Sequence, residues 1–222
     1  INHFRTWTKI DGEDVVIHVE AMLESRDHSA SREILFAIPE LEIHVPIQAC
    51  VGVPATASVR VRLEDIELWS PENPRLYETL LSTNGETLRD HIGYREIRTH
   101  GRDVLLNGQP LRLFGVCVHS EFPSTGRTAT AEGIKKVISH AKDLGCNFLR
   151  CAHYPYSRQW GQALDRAGIL WWEEVPVYWL PTVQQPHMSR LALGMLEDMI
   201  KRDWNRASLI IWSVSNECAG DS

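Results

Sequence analysis

Residues 210–217 read Ile210-Ile211-Trp212-Ser213-Val214-Ser215-Asn216-Glu217. The run stays largely apolar until Asn216, as befits a strand covered on both faces in a parallel sheet. The residues before it supply the crossover that such a strand needs. Leu191, Met195 and Met199 stand four apart in a helix expected over about 188–204. Upstream the same unit recurs. Leu111–Val118 reads as a strand after the Asn107-Gly108 turn signal, and a helix fits 130–144. On that helix Ile134, Val137, Ile138, Ala141 and Leu144 share a face, with Thr130 to cap its start and Gly145 to end it. A strand at Cys146–Cys151 follows, then a helix opened by Ser157 and closed by Gly168, with Trp160 and Leu164 on one face. Ile169-Leu170-Trp171-Trp172 is the third strand.

This β-α-β-α-β-α-β order predicts parallel strands joined by crossovers. Four such strands are half of an eight-stranded barrel, and about 120 residues are spent on them against about 250 for a complete one. An open half would leave a strand edge unpaired, so the native protein is expected to continue past Ser222. Residues 1–98 have another character. Val15–Glu20, Ile34–Ile38, Leu41–Val45 and Ser58–Leu63 are strand-like, and the last alternates polar with apolar residues. Asp11-Gly12 and Asn84-Gly85 are turn signals. The expectation is a β-sandwich over 1–98, then the first half of a (β/α)8 TIM barrel over 99–222.

The chain has 222 residues, 43% hydrophobic and 23% charged, with a net charge of −6. That acidic balance argues against nucleic acid as a partner. No apolar stretch reaches the roughly 18 residues of a membrane span. Five cysteines, Cys50, Cys117, Cys146, Cys151 and Cys218, are odd in number and widely spaced, unlike a disulfide-stapled secreted domain. Reduced thiols are expected, and the balance leans to the cytoplasm, although no address is written in the sequence. The first residue is Ile1, with no signal-peptide pattern near it, so both ends read as cut.

Polar residues at the C-terminal ends of barrel strands are where chemistry sits. The first strand is followed by His119, with Glu121 close behind, and the second by His153. The third ends in Glu173 and Glu174. These face opposite ways, so one looks into the mouth, and Glu174 is assigned to it. The fourth brings Asn216 and Glu217. Glu217 is the general acid/base candidate: a carboxyl group flanked by apolar walls holds a proton near neutrality. Asn216, His119, His153 and Glu174 are the candidate substrate contacts. Arg150, opposite Cys151 on its strand, suits a brace to a carboxylate rather than a substrate contact. Trp171, Trp172, Tyr178 and Trp179 offer aromatic faces suited equally to a sugar ring or to packing. One alternative stays open. Cys117-Val118-His119 and Cys151-Ala152-His153 are both Cys-x-His, which two neighbouring strands could present to zinc.

Taken in order, these stretches resemble glycoside hydrolase family 2, the β-galactosidase/β-glucuronidase group. Trp69-Ser70-Pro71-Glu72-Asn73-Pro74-Arg75-Leu76-Tyr77 is similar to the signature closing that family's immunoglobulin-like domain. Gly93–Ile97 and Leu106–Pro110 resemble the lead-in to its barrel. Gly115–Glu121, His153-Tyr154-Pro155, Asp165–Gly168 and Trp212–Glu217 match in order. The resemblance implies an immunoglobulin-like sandwich, with a jelly-roll domain before it in the whole protein, and retaining hydrolysis of β-galactosides or β-glucuronides, with β-mannosides the alternative. It makes Glu217 the acid/base, puts Asn216 on the sugar's 2-hydroxyl, and lines the pocket with His119 and His153. It places the nucleophile, a Glu, beyond Ser222, so the 222 residues alone are expected to be inactive. The family pattern has Asn at Cys117 and an acidic residue at Ser120, which leaves subsite detail open. The implied partner is a carbohydrate, with no cofactor and no metal; a homo-oligomer of the full-length protein and a non-catalytic carbohydrate-binding module stay open.

Overall fold

The computed structural model describes residues 1, 3–25, 31–179 and 185–218. Within them the strands are β1 (His3–Asp11), β2 (Asp14–Met22), β3 (Ser31–Ile38), β4 (Ile43–Cys50), β5 (Ala55–Arg62), β6 (Tyr77–Thr83), β7 (Glu86–Ile92), β8 (Ile97–His100), β9 (Asp103–Leu106) and β10 (Gln109–Pro110). The alternating elements β11 (Gly115–Val118), α1 (Ala131–Asp143), β12 (Phe148–Cys151), α2 (Arg158–Ala167), β13 (Leu170–Glu174), α3 (Pro186–Asp203) and β14 (Leu209–Ser213) follow. The chain divides into two compact units, Ile1–Leu111 and Arg112–Ser222.

In the first unit, two antiparallel sheets, β1-β2-β5 and β4-β3-β6-β7, share one core. Period-two alternation sends Val15, Ile17 and Val19 of β2 inward to meet Ile34, Phe36 and Ile38 of β3. Burying each of these side chains is worth about 1.5–3 kcal/mol. Asn84 and Gly85 both adopt positive φ, 42° and 83°, between Thr83 and Glu86. That is the two-residue turn for which Asn-Gly is suited. Asn107 fastens two of the motifs to a third. Its side chain accepts from Glu96 N at 3.0 Å and donates to Trp69 O at 3.0 Å, and Trp69 is fully buried. The small sheet β10-β9-β8 belongs to this unit.

In the second unit β11, β12, β13 and β14 lie side by side in sequence order, all parallel. Thr130 accepts from Gly133 N, capping α1, and Gly168 ends α2 at φ 69°. The residues of β12 and β13 that face the helices, Leu149, Cys151 and Trp171, join Ile134, Ile138, Trp160 and Leu164 in a second core. Gly115 is required by closeness: a Cβ there would lie 2.1 Å from the Phe148 carbonyl oxygen.

Several expectations are corrected. β14 ends at Ser213, so Asn216 and Glu217 sit on the loop beyond it. β11 starts only at Gly115 and β12 only at Phe148. Before them Asn147 is turned aside, donating to Arg112 O and accepting from Phe114 N. Leu41 falls in a single 3-10 turn, and Ser157 precedes α2 without a side-chain capping bond. Strands β1, β6, β7, β8, β9 and β10 are additional to those read from the sequence. Among the described residues no helix is long and apolar enough to cross a membrane.

Candidate active site

The four parallel strands point their C-terminal ends the same way, so the residues that follow them gather on one rim. Arg150 lies on the face of β12 opposite Cys151 and reaches across to β13. Its Nε donates to Glu174 Oε1 at 3.1 Å and its Nη2 to Glu174 Oε2 at 2.9 Å. The same Nη2 donates to Asn216 Oδ1 at 2.6 Å, and the guanidinium stacks 4.6 Å from the Trp172 ring. Arg150 thus ties β12 to β13 and to the loop after β14.

Glu174 has 0% of its side chain exposed. His153 Nδ1 lies 2.9 Å from its Oε1, and Ser213 Oγ donates to its Oε2 at 3.0 Å. Both oxygens are therefore engaged, and the direct substrate contact expected of Glu174 does not follow from this geometry. Its contacts hold Arg150 and His153 in place. His153 Nδ1 lies closer to this acceptor-only carboxylate than to the donor-only Arg150 Nη2, 3.4 Å away, so the shorter contact is read as Nδ1–H donating to Glu174. Arginine is donor-only, so Asn216 presents Oδ1 to Arg150 and keeps its amide N–H groups for another partner.

His119, exposed, meets His153 edge-on with ring centroids 5.4 Å apart. Behind it Ser120 N donates to the Tyr154 hydroxyl at 3.1 Å, and Glu121 pairs with Arg127 at 3.2 Å. On the other side His153 lies 6.0 Å from Tyr178, which meets Trp179 edge-on at 5.6 Å. The loops after β13 and β14 are joined by Asn216 N donating to Val177 O at 2.8 Å, beside a parallel bridge between Tyr178 and Asn216. Trp179 then donates its indole N–H to Glu217 Oε2. An unbroken series of neighbours thus runs from His119 through His153, Tyr178 and Trp179 to Glu217. The apolar walls expected around Glu217 are not seen in these residues: its side chain is exposed.

Glu173 faces the helices instead. Its Oε1 accepts from Tyr156 N at 3.1 Å and from Arg202 at 2.6 Å, while its buried Oε2 has no partner among the described residues. Burial, aided by neighbouring Asp203 and opposed by Arg202, pushes its carboxyl up to about 8.

The zinc alternative fails on register. Cys117 pairs with Arg150 and Val118 with Cys151, so the two cysteines stand on opposite faces of the sheet. Cys151 is fully buried among the helices, and burial raises its thiol well above the usual range. Ser213 is the functional neighbour that sequence reasoning missed. Its signal was a small hydroxyl at the point where the apolar run Leu209–Trp212 ends.

Residues 97–222 match the family described as "Glycosyl hydrolases family 2, TIM barrel domain". The chain is 32% identical over 165 residues to a β-galactosidase of Thermoanaerobacterium thermosulfurigenes, covering 72% of this chain and 23% of that protein. It is 31% identical over 170 residues to a putative β-glucuronidase of Formosa agariphila, covering 73% and 20%. Among solved structures, a GH2 β-galacturonidase of Eisenbergiella tayi bound to galacturonate superposes with a TM-score of 0.89 at 28% identity, over 99% of this chain and 41% of that one. A β-glucuronidase of Ruminococcus gnavus in complex with D-glucuronic acid gives 0.82 at 26%, over 99% and 37%. The chain therefore spans a quarter or less of the length of these two sequence relatives.

Proposed function

The chain belongs to glycosyl hydrolase family 2, and from that membership we propose that the whole protein is a retaining exo-β-glycosidase acting on β-galactosides or β-glucuronides. In this reading β1–β7 form the immunoglobulin-like sandwich and β11–β14 the first half of the (β/α)8 barrel. The family match begins at residue 97, before the second compact unit begins at Arg112. Of the two substrate classes uronides are preferred, since the two solved structures above are a β-galacturonidase and a β-glucuronidase.

The observation that carries the reading is the tie from Arg150 to Asn216 beside His153. It holds Asn216, the residue before Glu217, by its Oδ1 and leaves its amide N–H groups free to donate, while His153 is held by Glu174. Glu217 protonates the glycosidic oxygen as a carboxylate nucleophile attacks the anomeric carbon. It then takes a proton from the water that releases the sugar. Asn216 donates to the 2-hydroxyl, and His119 and His153 line the sugar pocket. Glu174 cannot be the nucleophile, because Arg150, His153 and Ser213 hold both its oxygens. That role goes to a glutamate in the rest of the protein, about 5–5.5 Å from Glu217. The 222 residues alone are expected to show no turnover.

The test is hydrolysis of aryl β-glucuronides and β-galactosides by the full-length protein, with the anomer of the first product followed by NMR. The expected results are a β-configured product and a loss of at least about 100-fold in kcat/KM for phenyl glycosides on Glu217→Gln. An α-configured product, or an unimpaired Glu217→Gln enzyme, would overturn the proposal.

A further inference from the structure

We propose that Trp179 is a positioning residue for the acid/base: its indole N–H on Oε2 of Glu217 confines the catalytic proton to Oε1. This rests on the assignment of Glu217 made above and deepens it.

The argument starts from donor chemistry. The indole Nε1–H donates and never accepts. Trp179 directs it to Oε2 of Glu217. A protonated carboxyl carries one O–H, and its unprotonated oxygen is the stronger acceptor, so an indole N–H on Oε2 favours the form with the proton on Oε1. With the indole in place, the acid form keeps its proton on Oε1, and that oxygen alone can deliver it to a leaving group. After transfer, Oε2 continues to accept from the indole, and Oε1 is the oxygen ready to receive a proton from water.

The contact is built by the backbone rather than by chance proximity of two long side chains. Asn216 N donates to Val177 O at 2.8 Å and Trp179 N to Asn216 O at 3.4 Å, so the two loops are fastened at Asn216, one residue before Glu217, and at the backbone of Trp179 itself. Trp179 and Glu217 both adopt left-handed backbone conformations, φ 55° and 50°. Non-glycine residues seldom hold such values unless the surroundings impose them, and they concentrate at functional sites. Burial does not explain Trp179, which is 70% exposed. An indole so exposed contributes little to a core, and its donor contact is with the candidate acid.

Trp179→Phe keeps an aromatic ring and removes the N–H. In the full-length enzyme kcat/KM reports glycosylation, the step in which Glu217 acts as acid. A phenyl glycoside needs that proton, whereas a 2,4-dinitrophenyl glycoside departs without it. The expected result is a loss of about 10-fold or more on the phenyl substrate, part of the usual range for general-acid assistance, with the dinitrophenyl substrate within about 3-fold of wild type. Retained dinitrophenyl hydrolysis also certifies the fold of the variant. An equal fall on both substrates, or no fall on either, overturns the proposal. A Glu217→Gln enzyme that still cleaves the phenyl glycoside normally would overturn the parent reading, a different failure seen in a different variant.

Discussion

Replacing Arg150 with methionine keeps an aliphatic stem against Trp172 and removes the charge that faces Glu174. The carboxylate is fully buried and meets the guanidinium through two bonds of 3.1 and 2.9 Å. At about 4 Å between charge centres and an effective dielectric of about 20, their attraction is worth about 4 kcal/mol. Removing one member of a buried pair generally costs about 3–5 kcal/mol, because the other is left charged and uncompensated. His153 Nδ1 and Ser213 Oγ still donate to Glu174 at 2.9 and 3.0 Å, which draws the expected cost toward the lower end, about 3 kcal/mol. Arg150→Met with Glu174→Gln removes both charges together, so the double variant should be destabilised by at least about 1.5 kcal/mol less than the sum of the singles. Equilibrium urea unfolding of the four full-length proteins measures this. A cost below about 1 kcal/mol for Arg150→Met, or strict additivity in the double variant, would refute the view of Arg150 and Glu174 as a desolvated pair.

Three other outcomes are expected. Glu173 has its carboxyl raised from 4.5 to about 8, so its protonated form favours the folded state. Its stabilising contribution is complete below about pH 4.5 and is lost as pH rises through about 8. Glu173→Gln should flatten that part of a melting-temperature profile taken from pH 5 to 9. Gly115→Ala forces a Cβ to within 2.1 Å of Phe148 O and should cost about 3 kcal/mol or more by detaching β11, read as a fall in melting temperature. Asp165 is fully buried and accepts from Arg206 Nη1 at 3.0 Å and Ser208 N at 2.9 Å. Asp165→Ala should cost about 3–5 kcal/mol in urea unfolding, since it leaves Arg206 charged at 6% exposure.

The parallel half of the chain was readable because its signals are local. Ile134, Ile138 and Ala141 are buried at helical spacing, and Thr130 and Gly168 punctuate the helices as their chemistry predicts. The antiparallel half hid some of its strands behind polar residues on the core side. In β6 the inward positions are Tyr77, Thr79, Leu81 and Thr83, so alternation by polarity fails where alternation by burial holds. In β1 Thr8 is buried while Trp7 is 42% exposed and stacked on His18, which inverts the expected pattern. At the site, strand order and period two sufficed to bring His119, His153, Asn216 and Glu217 to one end. They did not foretell that Glu174 would be closed off, because its partners Arg150 and Ser213 lie 24 and 39 residues away. The Trp179–Glu217 contact likewise spans 38 residues and depends on the loop bridge at Asn216.

The assignment of Glu217 is tested most directly by azide rescue. A Glu217→Ala enzyme, given a 2,4-dinitrophenyl glycoside, should form the glycosyl-enzyme and then stall for want of a general base. Azide needs no such base and would fill the space left by the carboxylate. Turnover restored by azide, with a glycosyl azide of β configuration as product, is the predicted result. No rescue, or an α-configured azide, would contradict it.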